Sequence, residues 1–194
     1  HFLCSTRGRT AKGHGIRNTA VNKASNGYCG GCIFVDASTG FTHVEFQTHL
    51  TAFDTIAAVK KFVDVAKDNG IIVQEYASDN GSAFTSDEFR KYLTDTDQKI
   101  SFSGAGSHHQ NGKAERGIRT VMAMARTMLL HAGIHWPAVA DPTLWPLAVT
   151  HACWIYNHVP HVSTGISPFD LWSKTRFPLK NLHDIHVWGC PVYV

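Results

Sequence analysis

Cys32-Ile33-Phe34-Val35-Asp36-Ala37-Ser38-Thr39-Gly40-Phe41-Thr42-His43-Val44-Glu45-Phe46-Gln47 is the stretch that decides the fold class. Its first part is a short apolar run, its last part alternates with period two, and Ser38-Thr39-Gly40 between them is turn chemistry, so the whole reads as a hairpin. The apolar run also carries an acid. Asp36 follows Phe34 and Val35 on what reads as a central strand, where burying a carboxylate is costly unless a cation or another partner offsets the cost.

Working outward, Thr51 with Asp54 marks a helix start, Ile56, Val59, Val63 and Ala66 follow at helical spacing, and Asn69-Gly70 supplies the stop, which predicts a helix over residues 51–69. Ile71 to Ala77 then reads as a strand ended by Ser78-Asp79-Asn80-Gly81. Thr85 and Glu88 form a capping-box pattern ahead of a short helix, and Lys99 to Phe102 reads as a brief strand. Beyond a Gly- and Ser-rich segment that is expected to be mobile, Ala114, Ile118, Val121, Ala125, Met128 and Ala132 mark the buried stripe of a long helix from about His109 to His131. Glu115 lines up with Ile118, Met122 and Leu129 at the margin of that stripe. Trp145 to Tyr156 and Pro168 to Trp172 read as further helices, and Val187 to Val194 as a strand. The fold class is α/β.

A chain of 194 residues holds one good core with room for arms, and 43% hydrophobic against 17% charged residues argues for a packed protein rather than a disordered one. No apolar run approaches the roughly 18 residues of a membrane span, and His1-Phe2-Leu3-Cys4 lacks signal-peptide character, so a soluble protein without a membrane partner is expected. The start without Met reads as a piece of a longer translation product. Five scattered cysteines fit a reducing compartment better than a disulfide framework. Charge is segregated: residues 1–24 carry five basic and no acidic residues, residues 25–104 six basic and eleven acidic, and residues 105–131 four basic and one acidic. Basic blocks around an acidic centre suggest a polyanion partner that meets a cation-binding site, although a basic tail is also consistent with a solvated arm.

Asp36, Asp79 and Glu115 thus stand in an apolar strand, at a strand end and on the rim of a helix. Carboxylates are the preferred ligands of Mg²⁺ and Mn²⁺, ions that suit phosphodiester chemistry. Each also has a commonplace explanation: Asp36 as a strand-edge turn residue, Asp79 as an Asx-turn former beside Asn80-Gly81, and Glu115 as an i,i+4 salt-bridge partner of Arg119.

Together these residues resemble the catalytic core of the DDE integrases, within them the copia-type LTR retrotransposon group. The resemblance is carried by Phe34-Val35-Asp36, by Ser78-Asp79-Asn80-Gly81 with Phe84, by His109-Gln110-Asn111-Gly112-Lys113-Ala114-Glu115-Arg116, and by the 35 residues between Asp79 and Glu115. Trp154 to Pro160, Ser167 to Trp172 and Val187 to Pro191 are similar to further segments of that group, so the likeness covers about residues 25–194. It implies an RNase H-like fold with a mixed central sheet of about five strands flanked by helices, a core over 25–160 and an extension over 161–194, preceded by a basic linker over 1–24. It further implies a polynucleotidyl transferase that processes 3′ DNA ends and joins element cDNA to host DNA. Asp36, Asp79 and Glu115 would hold two Mg²⁺ or Mn²⁺ ions, with Asp36 bridging them, and Gln110, Asn111, Lys113, Arg116 and Arg119 would touch DNA. The basic residues also read as an ordinary charged helix face, and His109 as either an orienting group or a local one.

The partners implied are element cDNA ends, host target DNA and further copies of the chain, in the nucleus and in cytoplasmic virus-like particles. Two features depart from the family. Ala37 stands where a second acid is usual, and of the upstream zinc module only Cys4 with Gly8-Arg9 resembles a remnant. Cys29-Gly30-Gly31-Cys32 leads into a strand and lacks further ligands, so core and turn cysteines fit better than a redox or zinc pair. His131, His135, His183 and His186 read as surface or capped histidines. A degenerate or domesticated copy that binds DNA without catalysis, and another RNase H-like nuclease, are the alternative readings.

Overall fold

The computed structural model describes residues 2–4, 27–102, 112–138, 140–178, 182 and 185–190. β1 (Phe2–Cys4), β2 (Gly30–Val35) and β3 (Thr42–Gln47) form an antiparallel sheet in that order, with Ile33 opposite Val44 and Val35 opposite Thr42. The β2–β3 connection is the hairpin read from the sequence. Asp36 N–H donates to Phe41 O at 2.8 Å, Gly40 N–H donates to Asp36 O at 3.0 Å, and Gly40 takes φ 76°, a left-handed conformation open to glycine without steric cost.

Alternation along β2 buries both of its faces. Cys32 and Phe34 pack toward α1 (Ala52–Asp68), α2 (Ser82–Thr85) and α3 (Asp87–Asp95), among Ala58, Val59, Phe84 and Phe89. Ile33, with Val44 and Phe46 of β3, packs toward α4 (Gly112–His135) and α5 (Trp145–His158), among Val121, Ala125, Val149 and Ala152. The sheet therefore lies between two helical layers. α1 starts and stops where its signals predict: Thr51 Oγ1 accepts from Asp54 N–H at 3.2 Å, and Gly70 follows the last turn at φ 70°. The stripe of α4 is also as read, with Val121, Ala125 and Ala132 buried and Ile118 and Met128 packed alongside.

Three expectations changed. The strand expected from Ile71 begins only at Glu75, and β4 (Glu75–Ser78) pairs in parallel with β5 (Lys99–Phe102) as a separate two-stranded sheet. Ile71 and Val73 instead pack on the cluster of Phe41, Phe62 and Trp172, so the described strands form sheets of three and two rather than one continuous sheet. The cap of α3 is Ser86, whose Oγ accepts from Phe89 N–H at 3.2 Å, because Thr85 is already used to close α2. Val187 to Cys190, the described part of the strand expected over Val187 to Val194, form a turn, with Cys190 N–H donating to Val187 O at 3.1 Å and Gly189 at φ 83°; residues 191–194 lie outside the described residues. Most of the expected basic linker and the expected mobile segment before α4 lie outside the described residues. No helix among the described residues is long and apolar enough to cross a membrane.

Two close approaches hold α4 and α5 on the sheet. A Cβ at Gly117 would lie 3.2 Å from Val35 Cγ2, so the absent side chain lets the first turns of α4 rest on the end of β2. On β3, an edge strand, Asn157 of α5 accepts from Thr42 N–H at 2.9 Å and donates to Thr42 O at 2.7 Å, which also receives the Cys153 thiol at 3.0 Å. His158, the next residue, stacks on Phe169 at 4.6 Å and so ties α5 to α6 (Pro168–Ser173).

Asn157→Leu leaves the buried Thr42 N–H without a partner and takes the amide donor from Thr42 O, which keeps only the weak Cys153 thiol, each loss worth about 1–3 kcal/mol. Urea unfolding is expected to show a loss of about 2–5 kcal/mol, and a variant as stable as the wild type refutes the clamp. Gly117→Leu is expected to lower the unfolding midpoint clearly, whereas Gly133→Leu, at an exposed helical glycine with open space for a side chain, leaves it near the wild-type value or above.

Candidate active site

Asp36 ends β2 and turns its carboxylate back into its own hairpin. Oδ2 accepts from Ser38 N–H (3.2 Å), Ser38 Oγ (2.8 Å), Thr39 N–H (2.7 Å) and Thr39 Oγ1 (2.7 Å). Burial raises its pKa, but the four donors outweigh burial and hold the carboxyl below its ordinary value. The sequence marks Ser38 and Thr39 as turn residues and not as functional ones. Their signal is local: an acid followed at two and three residues by hydroxyl side chains is the pattern of Asx- and ST-turns.

Asp79 follows β4 directly and is half-buried, with Oδ1 accepting from Gly81 N–H at 3.3 Å. The Asn80-Gly81 turn then leads into α2, where Phe84 N–H donates to Gly81 O at 2.9 Å. Glu115 lies in the first turn of α4 and is half-buried, at the margin of the buried face as its spacing predicts. Gly117, two residues on, fixes that turn against Val35, the residue before Asp36.

One cleft of about 670 Å³ draws these elements together. Its lining includes Asp36 and Ala37 after β2, Ala77 and Ser78 of β4, and Ala114 and Arg116 of α4. Asp79 is the neighbour of Ser78, and Glu115 stands between Ala114 and Arg116. Arg116 and Arg119 are exposed, and Lys113 belongs to the same first turns of α4. Gln110, Asn111 and His109 lie outside the described residues. Among the described residues no group of three His, Cys, Asp or Glu side chains is close enough to hold a metal ion.

The other candidates for chemistry resolve locally. Cys32 is buried beside Gln47, and burial pushes its thiol up to about 11. Cys29 donates to Thr48 O at 3.1 Å, and Cys32, Cys153 and Cys190 are free thiols. The rings of His131 and His135 lie 4.2 Å apart, tilted by 38°, beside Trp136.

No family model matches the chain. Among curated proteins it is similar to the retrovirus-related Pol polyprotein from transposon TNT 1-94 of Nicotiana tabacum, 28% identical over 130 residues covering 66% of this chain and 9% of that protein. The Pro-Pol polyprotein of feline foamy virus is 28% identical over 147 residues, covering 76% of this chain and 12% of that protein. The Pol polyprotein from transposon RE2 of Arabidopsis thaliana is 27% identical, covering 78% and 10%. The chain thus spans about a tenth of the length of the curated relatives it matches. Among solved structures, the HTLV-2 integrase catalytic core domain in complex with magnesium superposes with a TM-score of 0.56 at 23% identity, covering 74% of this chain and 83% of that one. The BIV integrase catalytic core gives 0.56 at 14% identity, covering 80% and 88%. A simian T-cell lymphotropic virus intasome in complex with a PP2A regulatory subunit gives 0.60 at 19% identity, covering 80% and 52%. The sequence relatives of this chain are therefore the Pol polyproteins of retrotransposons and retroviruses, and its fold is the RNase H-like fold of retroviral integrase catalytic cores.

Proposed function

We propose that the chain is the catalytic core of a retrotransposon integrase, a polynucleotidyl transferase that trims element cDNA ends and joins them to host DNA as part of a homo-oligomer. The observation that carries this reading is the cleft at which the end of β4 and the first turn of α4 meet, the two places that supply Asp79 and Glu115.

Asp79 and Glu115 fit a hard divalent cation. Mg²⁺ is usually held by one or two carboxylates, with waters and substrate phosphate oxygens completing its shell. When bound, such ions lower the pKa of the attacking hydroxyl or water and stabilise the departing 3′ oxygen. The chain's own contribution is to hold two carboxylates at the end of β4 and in the first turn of α4, and to place a cation, Arg116, in the lining of the cleft. Arg116 reaches the cleft and Arg119 is exposed one turn further along α4, and with Lys113 of the same helix they are proposed as contacts to a DNA backbone. Gln110 and Asn111 are proposed as further DNA contacts on the chain leading into α4.

The direct test is strand transfer by the full-length polyprotein-derived protein with Mg²⁺ or Mn²⁺. Asp79→Asn and Glu115→Gln are expected to lower the rate at least 100-fold while leaving the unfolding midpoint within a few degrees, and Arg116→Ala to weaken DNA binding with a shallower salt dependence. Wild-type activity in both carboxylate variants sinks the transferase assignment. A folded wild-type protein that binds DNA but never joins it points instead to a copy that binds without catalysis.

A further inference from the structure

We infer that Asp36 is the anchor of the β2–β3 turn, a positioning residue for α4 and not a metal ligand. The positioning role rests on the reading of Glu115 given above; the anchoring role does not.

The hydrogen bonds carry the argument. A carboxylate oxygen offers two lone pairs, yet Oδ2 of Asp36 meets four donors from Ser38 and Thr39, all between 2.7 and 3.2 Å. Two are backbone N–H groups and two are hydroxyls, so the charge at this oxygen is already solvated by fixed dipoles within three residues of chain. A cation at this oxygen would have to displace the donors that close the turn.

The turn is wired into the site. Thr39 Oγ1, besides donating to Asp36, accepts from Phe41 N–H at 3.1 Å, and Phe41 stacks on Trp172 of α6 at 4.6 Å. Thr42, next in sequence, is the residue clamped by Asn157. On the other side of Asp36, Val35 is the surface that receives Gly117, two residues beyond Glu115. Releasing the turn therefore frees the end of β2 on which the first turns of α4 rest.

Asparagine separates the two roles. Asp36→Asn keeps an oxygen that accepts from Ser38 and Thr39, but loses the charge that a hard cation requires. Asp36→Ala and Thr39→Val break the turn. Unfolding of the 194-residue chain without metal is expected to show Asp36→Asn within about 2 °C of wild type, and Asp36→Ala and Thr39→Val lower by about 4–8 °C. The double variant is expected to lose less than the sum of the two. In titrations with Mn²⁺ alone, Asp36→Asn is expected to bind within about threefold of wild type, against a loss of tenfold or more in Asp79→Asn. An Asp36→Asn protein of wild-type melting temperature whose Mn²⁺ affinity falls with that of Asp79→Asn overturns the inference. So does an Asp36→Ala protein that melts with the wild type. If Asp79→Asn binds Mn²⁺ as the wild type does, the metal-site reading fails, and the melting temperatures still decide whether Asp36 anchors the turn.

Discussion

Thr42 turns its backbone N–H and C=O away from β2, out of the edge of the sheet and into the contact with α5, where no water reaches. Left there without partners, these two groups would cost several kcal/mol, enough to undo the docking of the helix. Asn157 removes that cost by presenting an amide that mimics a neighbouring strand: one acceptor and one donor matched to one donor and one acceptor. Once α5 is seated in this way, α4 packs beside it on the same face of the sheet, and Gly117 brings it onto Val35. The placement of Glu115 thus descends from an amide on a different helix.

Much of this architecture is legible in the sequence, for reasons that differ by element. The hairpin and α1 are written in local chemistry: alternation, a Thr51 cap, and glycines at the left-handed positions Gly40 and Gly70. The buried stripe of α4 is written in its periodicity. Asp79 and Glu115 stand where the motifs put them, at a strand end and in a first helical turn. Expectation fails where tertiary packing overrides local preference. Ile71 and Val73 have strong strand propensity, but an aromatic cluster around Phe62 and Trp172 takes their side chains before the ladder begins. Val187 and Trp188 look like a strand until Gly189 turns the chain and sends Trp188 onto the α4–α5 core.

Asp36 shows the opposite difficulty. An acid at the end of an apolar strand demands a partner, and the sequence offers two, a cation or the hydroxyls two and three residues on. Only in the folded turn do all four donors converge on the same oxygen. Asn157 was visible only as part of a motif, because its partner lies 115 residues away and nothing in the local pattern names Thr42. Site chemistry built from sequence-local contacts can be read forward; chemistry built across the fold cannot.

The two restraints on either side of Phe41 also differ in when they can form. The contacts of Asp36 close a loop of two or three residues, a step completed in well under a microsecond, whereas the Asn157 amide must find Thr42 across 115 residues of chain. During synthesis or refolding the hairpin therefore exists before α5 arrives, and for that interval β3 offers an open row of hydrogen-bonding groups to any other strand nearby. The side chain that seats α5 at the same time withdraws the two outward groups of Thr42 from such pairing, and it does so only after the long closure.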